Sequence, residues 1–469
     1  MHFNRYNRRE FLKLTSQGVG ALALSSLINS VSAKSSYVPT FHHAAKAKSV
    51  IFLYMSGGVS HVDSFDPKAL LREMHGQPMP MKLARTQFDQ IGNIMGSFWD
   101  HKKYGESGIE MTNLFPNIAE LADDMAIVRS LTAKFSEHAQ GNFFMHSGFP
   151  FLGHPSAGAW VNYGLGTENQ NLPGYIVLQS ENSGSPHGGV SIFGNAFLPA
   201  TTGGSIFNVS GAKAVPNIEP ALLKHEQRKA LDVIKTLDFG FAERIAATDA
   251  VMSSVKNAET AYLMQEAVPE LTDISGESDS TLDQYGVNDP VWYKSEYGRQ
   301  CLMARRLVER GVRFVELSCC PFEKGAQKAN PWDQHSKIEI GHGAMASQVD
   351  KPIAALVNDL KQRGLLEDTL VVFTGEFGRN PFAQGIGRDH NPQGFSAWMA
   401  GGGVKGGTVY GATDEFGYNA VDKVSNIYEL WATVLHLLGV DHEQLTFQYG
   451  GRNLRLTDVH GKVWHDIIA

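Results

Sequence analysis

Two patterns of apolar residues alternate along the chain. Short continuous runs rich in β-branched and aromatic residues, at 49–55, 125–131, 175–178, 313–318 and 369–374, read as buried strands, with a further pair near 395–400 and 408–410. Between them apolar positions recur at helical spacing over 115–124, 221–264, 292–310, 344–363 and 425–438. Strands that alternate with helices imply an α/β fold, a mostly parallel central sheet with helices on both faces. The acidic, serine-rich stretch 269–283 reads as a surface loop closing a helical excursion near 221–285. No repeat period is visible, so residues 34–469 are expected to form one domain.

The first 33 residues depart from this pattern. They carry paired arginines, Arg8 and Arg9, a mild apolar run over 18–31 and a small-residue end at Val31-Ser32-Ala33. That is the pattern of a twin-arginine export signal cleaved after Ala33, which makes the export machinery a partner and the periplasm or extracellular space the expected destination. No later apolar run is long enough to span a bilayer. The leader takes with it four of the 41 basic residues and one of the 48 acidic ones, leaving a net charge of −10 and arguing against a nucleic-acid partner. Only three cysteines occur, Cys301, Cys319 and Cys320, too few for a disulfide framework.

In a parallel sheet, functional groups collect where strands end and helices begin. After the first strand run, "SGGVSHVDSFDPK" offers His61 and Asp63; after the second, "TAKFSEHAQGNFFMHSG" offers His138 and His146. Beyond 313–318 come Asp333, His335, His342 and Asp350; beyond 369–374 come Glu376, Arg379, Arg388, Asp389 and His390. Asp333, His335, Glu376, Asp389 and His390 form a mixed set of imidazoles and carboxylates that suits zinc, manganese or iron, with His61, Asp63 and His342 as further candidates. The competing reading is ordinary: Asp333 caps a helix, His335 is solvated and Asp389 pairs with Arg388. "SGG" and "AGGG" lack the Lys-Ser or Lys-Thr ending of a phosphate loop. His436 sits at core spacing in a helical run.

Four segments, "HPSAGAWVNYGLGTENQNLPGYIVL", "RGLLEDTLVVFTGEFGRNP", "GRDHNPQGFSAWMAGGGVKGG" and "LTDVHGKV", resemble the DUF1501 family of exported bacterial proteins, placed in the alkaline phosphatase and sulfatase superfamily. The resemblance implies that superfamily's fold. It also sets this chain against the sulfatase pattern: Ser56 and Gly57 stand where two metal-binding aspartates are expected, His138 where the modified cysteine nucleophile is expected, and Phe377 beside Glu376 where a second ligand is expected. A formylglycine sulfatase is therefore not expected, and calcium, which needs several oxygen ligands, is disfavoured. The resemblance places Asp333, His335 and His390 at a rebuilt metal site, with His138 as ligand or nucleophile. On these residues the expected function is a metal-dependent hydrolase of phosphate or sulfate esters, with Arg388 or Arg379 neutralising the anion; the alternative is a non-catalytic envelope protein that binds a metal or a glycan.

Overall fold

The apolar runs build one nine-stranded sheet. Its strands are β1 (Ser49–Tyr54), β2 (Met125–Thr132), β3 (Tyr175–Gln179), β4 (Ser205–Asn208), β5 (Phe314–Ser318) and β6 (Thr369–Thr374). After a projecting hairpin, β7 (Gly378–Gln384) and β8 (Gly387–Asn391), the sheet continues with β9 (Phe395–Ala400), β10 (Thr408–Tyr410) and β11 (Ser425–Asn426). The order across the sheet is β10-β2-β9-β6-β1-β5-β3-β4, with β11 also on β2. Every pairing is parallel except those of β9, which runs against both β2 and β6. The computed structural model describes residues 41–469 apart from 85, 87–90, 212, 221, 246–247 and 327. Residues 1–33, the stretch expected to be a twin-arginine export signal, lie outside the described residues.

The alternation along β1 explains the two layers. Ile51 and Leu53 face one apolar cluster with Cys301, Leu302, Val349 and Ile353, drawn from helices Trp292–Glu309 and Ile338–Gln362. Val50, Phe52 and Tyr54 face the other, under α1 (His138–Ser147), α2 (Ala157–Leu165) and the helix Ile427–Leu437. A strand buried on both faces has no polar positions to alternate, which is why β1 and β6 read as unbroken apolar runs.

The expected strands are present, and two helical expectations change. The run 221–264 divides into α3 (Lys224–Ile245) and α4 (Thr248–Thr272). The stretch 269–283, expected as loop, is largely helical: α4 passes through Pro269 to Thr272, and a new helix, Asp279–Tyr285, starts where the Ser278 hydroxyl accepts the amide of Thr281 at 3.1 Å. A single serine cap outweighs the low apolar content of the segment. Among the described residues no helix is long and apolar enough to cross a membrane.

Candidate metal centre

Four junctions meet at one edge of the sheet, because β1, β2, β5 and β6 are mutually parallel and their carboxyl ends share that edge. From β2 the chain enters α1, whose first residue is His138; Glu137 caps the helix by accepting the amide of Gln140 at 3.0 Å. The loop after β5 supplies Asp333 and His335. Two residues past β6 comes Glu376, and β8 brings His390 back over the same edge.

His138, Asp333, His335 and His390 form a group in which one ligand atom from each lies within 4.8 Å of all the others. His138 Nε2 is 3.1 Å from Asp333 Oδ2, and the Nε2 atoms of His335 and His390 are 2.9 and 3.2 Å from Asp333 Oδ1. The two Nε2 atoms of His335 and His390 are 3.0 Å apart.

The opposite ring nitrogens settle the tautomers. His138 Nδ1 is 2.7 Å from Glu376 Oε1, and His390 Nδ1 is 2.5 Å from the carbonyl oxygen of Ser136. His335 Nδ1 meets the side-chain oxygen of Gln384. Carboxylates and carbonyls only accept, so each Nδ1 carries a proton, and any of these rings that is otherwise deprotonated turns its Nε2 lone pair inward. Lone pairs facing each other and a carboxylate at these distances repel unless a cation lies among them. Hydrogen bonding from the far nitrogen to a carboxylate or carbonyl is also how metal-ligating imidazoles are fixed.

Charge agrees with this arrangement. Burial opposes ionisation of Asp333, but the Arg379 guanidinium and the three imidazoles outweigh it and hold the carboxyl well below the usual carboxylate range. Burial, reinforced by Arg379, lowers His390 to about 3, so its ring is neutral and its lone pair is available. Burial works against charge on His138 too, but its contacts with Asp333 and Glu376 raise it to about 9. Without a metal, a proton therefore occupies that Nε2.

Glu376 does not join the converging group, contrary to the sequence expectation. Its oxygens accept the Gly57 amide at 2.9 and 3.1 Å and the Tyr54 hydroxyl at 3.2 Å, and the remaining contact is the one to His138. It stands behind the ligand group as the acceptor that orients His138. Gly57 makes this possible: φ is +109°, and a Cβ there would lie 2.5 Å from the Asp333 amide nitrogen. Glu376→Gln is accordingly expected to weaken metal binding by ~10–100-fold without loss of fold, the usual cost of removing such an orienting carboxylate. Competition against a chromogenic chelator measures it; an unchanged affinity would return Glu376 to a purely structural role.

The other expected residues are placed elsewhere. Asp389 is buried, caps the amide of His390 at 2.7 Å and is 3.8 Å from His335 Nδ1, outside the group. Arg388 is fully buried and spends its donors on Asp63, at 2.7 and 3.1 Å, and on the carbonyls of Asn380 and Met95. Fully buried and with most of its N–H donors engaged in this way, it is not placed to meet an incoming anion. Asp63 is thus a counter-ion to Arg388, held additionally by Ser60. His342 accepts the Ser60 amide at 3.1 Å and His61 contacts the carbonyl of Gly417 at 2.6 Å; neither joins the group. Arg379 donates to Asp333 Oδ1 at 2.8 Å and to the carbonyls of Gly57, Gly58 and Arg388, so it too is committed inside the protein. Phe377 walls the site, its ring stacked on His390 at 4.4 Å and tilted 5.1 Å from His138. Asp333 and His335 retain side-chain exposures of 27% and 26%, so the group opens to solvent on their side.

Sequence reasoning missed Tyr54, Gln384 and the Ser136 carbonyl. No motif announces them: a strand-end tyrosine and a hairpin glutamine carry no chemistry until the fold aims them.

The DUF1501 family, described as a protein of unknown function, matches residues 47–468. No curated protein matches the chain. Solved structures similar to it include the lipoteichoic acid synthase LtaP from Listeria monocytogenes, at 11% identity over 89% of this chain and 76% of that one, with a TM-score of 0.38. The PsFucS1 sulfatase from Pseudoalteromonas sp. is 13% identical over 94% and 73%, with a TM-score of 0.35. The alkaline phosphatase from the Antarctic bacterium TAB5 is 10% identical over 84% and 98%, with a TM-score of 0.34.

Proposed function

The chain belongs to the DUF1501 family, and we propose that this member is an exported protein with one transition-metal centre, held by His138, Asp333, His335 and His390, that hydrolyses phosphate or sulfate esters. The observation that carries the metal is the meeting of inward-turned Nε2 atoms, 3.0 Å apart and 2.9–3.2 Å from one carboxylate, whose far nitrogens are all tied to acceptors. Three imidazoles and one carboxylate favour zinc, manganese or iron over calcium, whose ligands are oxygens. A bound metal of this kind polarises an ester oxygen and lowers the pKa of water.

The chain's own residues supply the rest. Glu376 and the Ser136 carbonyl hold two rings in register, Arg379 fixes one oxygen of Asp333, and Phe377 covers one face of the His390 ring. The open side, at Asp333 and His335, is where an anionic ester or glycan would approach. With both buried arginines engaged elsewhere, the positive charge that meets such a ligand belongs to the centre itself.

Four protein ligands also suit a site that only stores a metal, since four close a tetrahedral zinc site. That favours the non-catalytic reading if zinc is the metal; manganese or iron, with higher coordination numbers, leaves positions for water and ester. Elemental analysis of protein exported from its own host separates them, and the same preparation tests export to the periplasm.

Aryl sulfates are expected not to turn over. The nucleophile place of a sulfatase is held here by His138, and the three cysteines are buried, with burial pushing the Cys319 thiol up to about 12. With p-nitrophenyl sulfate we expect no release at any calcium concentration, and with p-nitrophenyl phosphate weak, metal-dependent release that disappears in His335→Ala. Robust sulfate release after transition metals are stripped would overturn this reading. Full metal loading with no turnover of either ester would leave the metal and remove the hydrolase.

A further inference from the structure

At the opposite edge of the sheet a second cavity, of about 540 Å³, opens beside the amino ends of β3 and β4, which run parallel to β5. It lies between the end of α2, the glycine-rich turns before those strands, and one face of α4. Its volume falls among small-molecule sites, which span ~300–1,000 Å³. Being at the amino ends of the strands, it shares nothing with the metal centre at their carboxyl edge.

The lining mixes apolar side chains, Leu172, Val190, Phe193 and Met264 among them, with uncharged polar ones. Thr201, Ser205, Asn257 and Thr260 border the cavity, and their side chains have no hydrogen-bond partner among the described residues. Asn162, only 8% exposed, is fixed by donating its amide to the carbonyls of Thr201 and Thr202 at 3.2 and 3.4 Å. Among the described residues no carboxylate lines the space, and Lys256 is the one cation that does. Its floor stays backbone at Gly204, where a Cβ would lie 2.8 Å from the Tyr175 ring.

An aromatic ladder leads out of it. Tyr163 lines the cavity and meets Phe447 edge-on at 5.6 Å; Phe447 lies 5.8 Å from Phe197, which stacks on Tyr449 at 4.8 Å. Tyr449, on the hairpin Phe447–Tyr449 and Arg452–Leu454, is 56% exposed, although large aromatics are ordinarily covered.

We propose that this cavity and its aromatic rim bind a neutral oligosaccharide. Hydroxyls and amides both donate and accept, as sugar hydroxyls do, and the apolar part of the lining suits the C–H faces of sugar rings, whereas an anion would call for several cations. Aromatic faces accept the C–H side of a pyranose, and Tyr449, the exposed end of the ladder that begins with Tyr163 on the cavity wall, offers one. The site is independent of the metal centre and of any activity there.

Isothermal titration of the full exported chain with cellohexaose, xylohexaose, chitohexaose and maltohexaose tests it. At least one is expected to bind with a Kd below about 1 mM, and Tyr449→Ala and Asn257→Ala, both exposed positions, to weaken it at least ~fivefold. His335→Ala should bind the sugar as the parent does. No saturable binding to any of the four up to about 10 mM, or binding unchanged in both cavity variants, would overturn the proposal.

Discussion

His335→Ala is expected to lower metal affinity by at least about 100-fold, beyond the ~10–100-fold that loss of an orienting partner costs, because it removes one of four ligand atoms and not merely its support. His335 is the most suitable of the four to replace. Its side chain is 26% exposed and lies on a loop, so alanine leaves no buried void, whereas removing Asp333 would strand the buried charge of Arg379. His390→Ala should give the same loss from the buried side of the group. Metal per chain, by elemental analysis after dialysis against a weak chelator, is the readout, with a thermal melt to verify folding. The parent protein should also release about one proton per metal at neutral pH, because the raised pKa of His138, about 9, means that a proton must leave its Nε2 first. Calorimetry in buffers of different ionisation enthalpy reports that proton. Parent-level metal in both variants would mean that the four side chains converge for some other reason.

The second large effect concerns a group next to the site. Glu316 lies within β5, 1% exposed, with Oε1 at 2.8 Å from His146 Nε2 and Oε2 accepting the Tyr175 hydroxyl at 2.7 Å. His146 Nδ1 is 2.8 Å from the Asn142 carbonyl oxygen. Both ring nitrogens face acceptors, so both carry protons, and an imidazolium is enclosed among Phe52, Tyr54 and Phe193. Glu316→Ala leaves that cation buried and unpaired, at an expected cost of ~3–5 kcal/mol in unfolding free energy. Urea midpoints of the two proteins measure it.

The pH dependence has a definite sign. Burial works against charge on His146, but Glu316 outweighs it and raises the pKa above the ordinary 6.5. A raised histidine stabilises the fold fully below its unfolded value and less as pH climbs through its folded value, so this contribution should fade on the alkaline side in the parent and be missing from the variant. Stability curves that stay parallel across that range would show that the pair is not charged.

Much of this molecule is legible from its sequence. β1 and β6 declare themselves because a strand covered on both faces is apolar almost throughout, β2 and β5 because β-branched and apolar residues dominate their runs, and their parallel order follows from the helices between them. That Asp333, His335 and His390 come together is foreseeable, since strand ends of a parallel sheet share an edge, but the fourth member expected with them is Glu376, and the structure has His138 in that place. Residue type at a junction says only that a side chain could ligate. Whether it does depends on direction, and direction is set by partners hundreds of residues away. Glu376 and Asp333 are chemically alike, yet the Gly57 amide and the Tyr54 hydroxyl, 319 and 322 residues from Glu376 in sequence, pull it behind His138, while Arg379 turns Asp333 toward the histidines. Arg388 looked available for an anion until the fold delivered Asp63, 325 residues distant, to its guanidinium. The sheet, the edge where its junctions meet and the candidate ligands can be read from residue patterns; which carboxylate faces the histidines and which orients one of them depends on the folded arrangement, because a hydrogen bond needs its donor in place before it can aim anything.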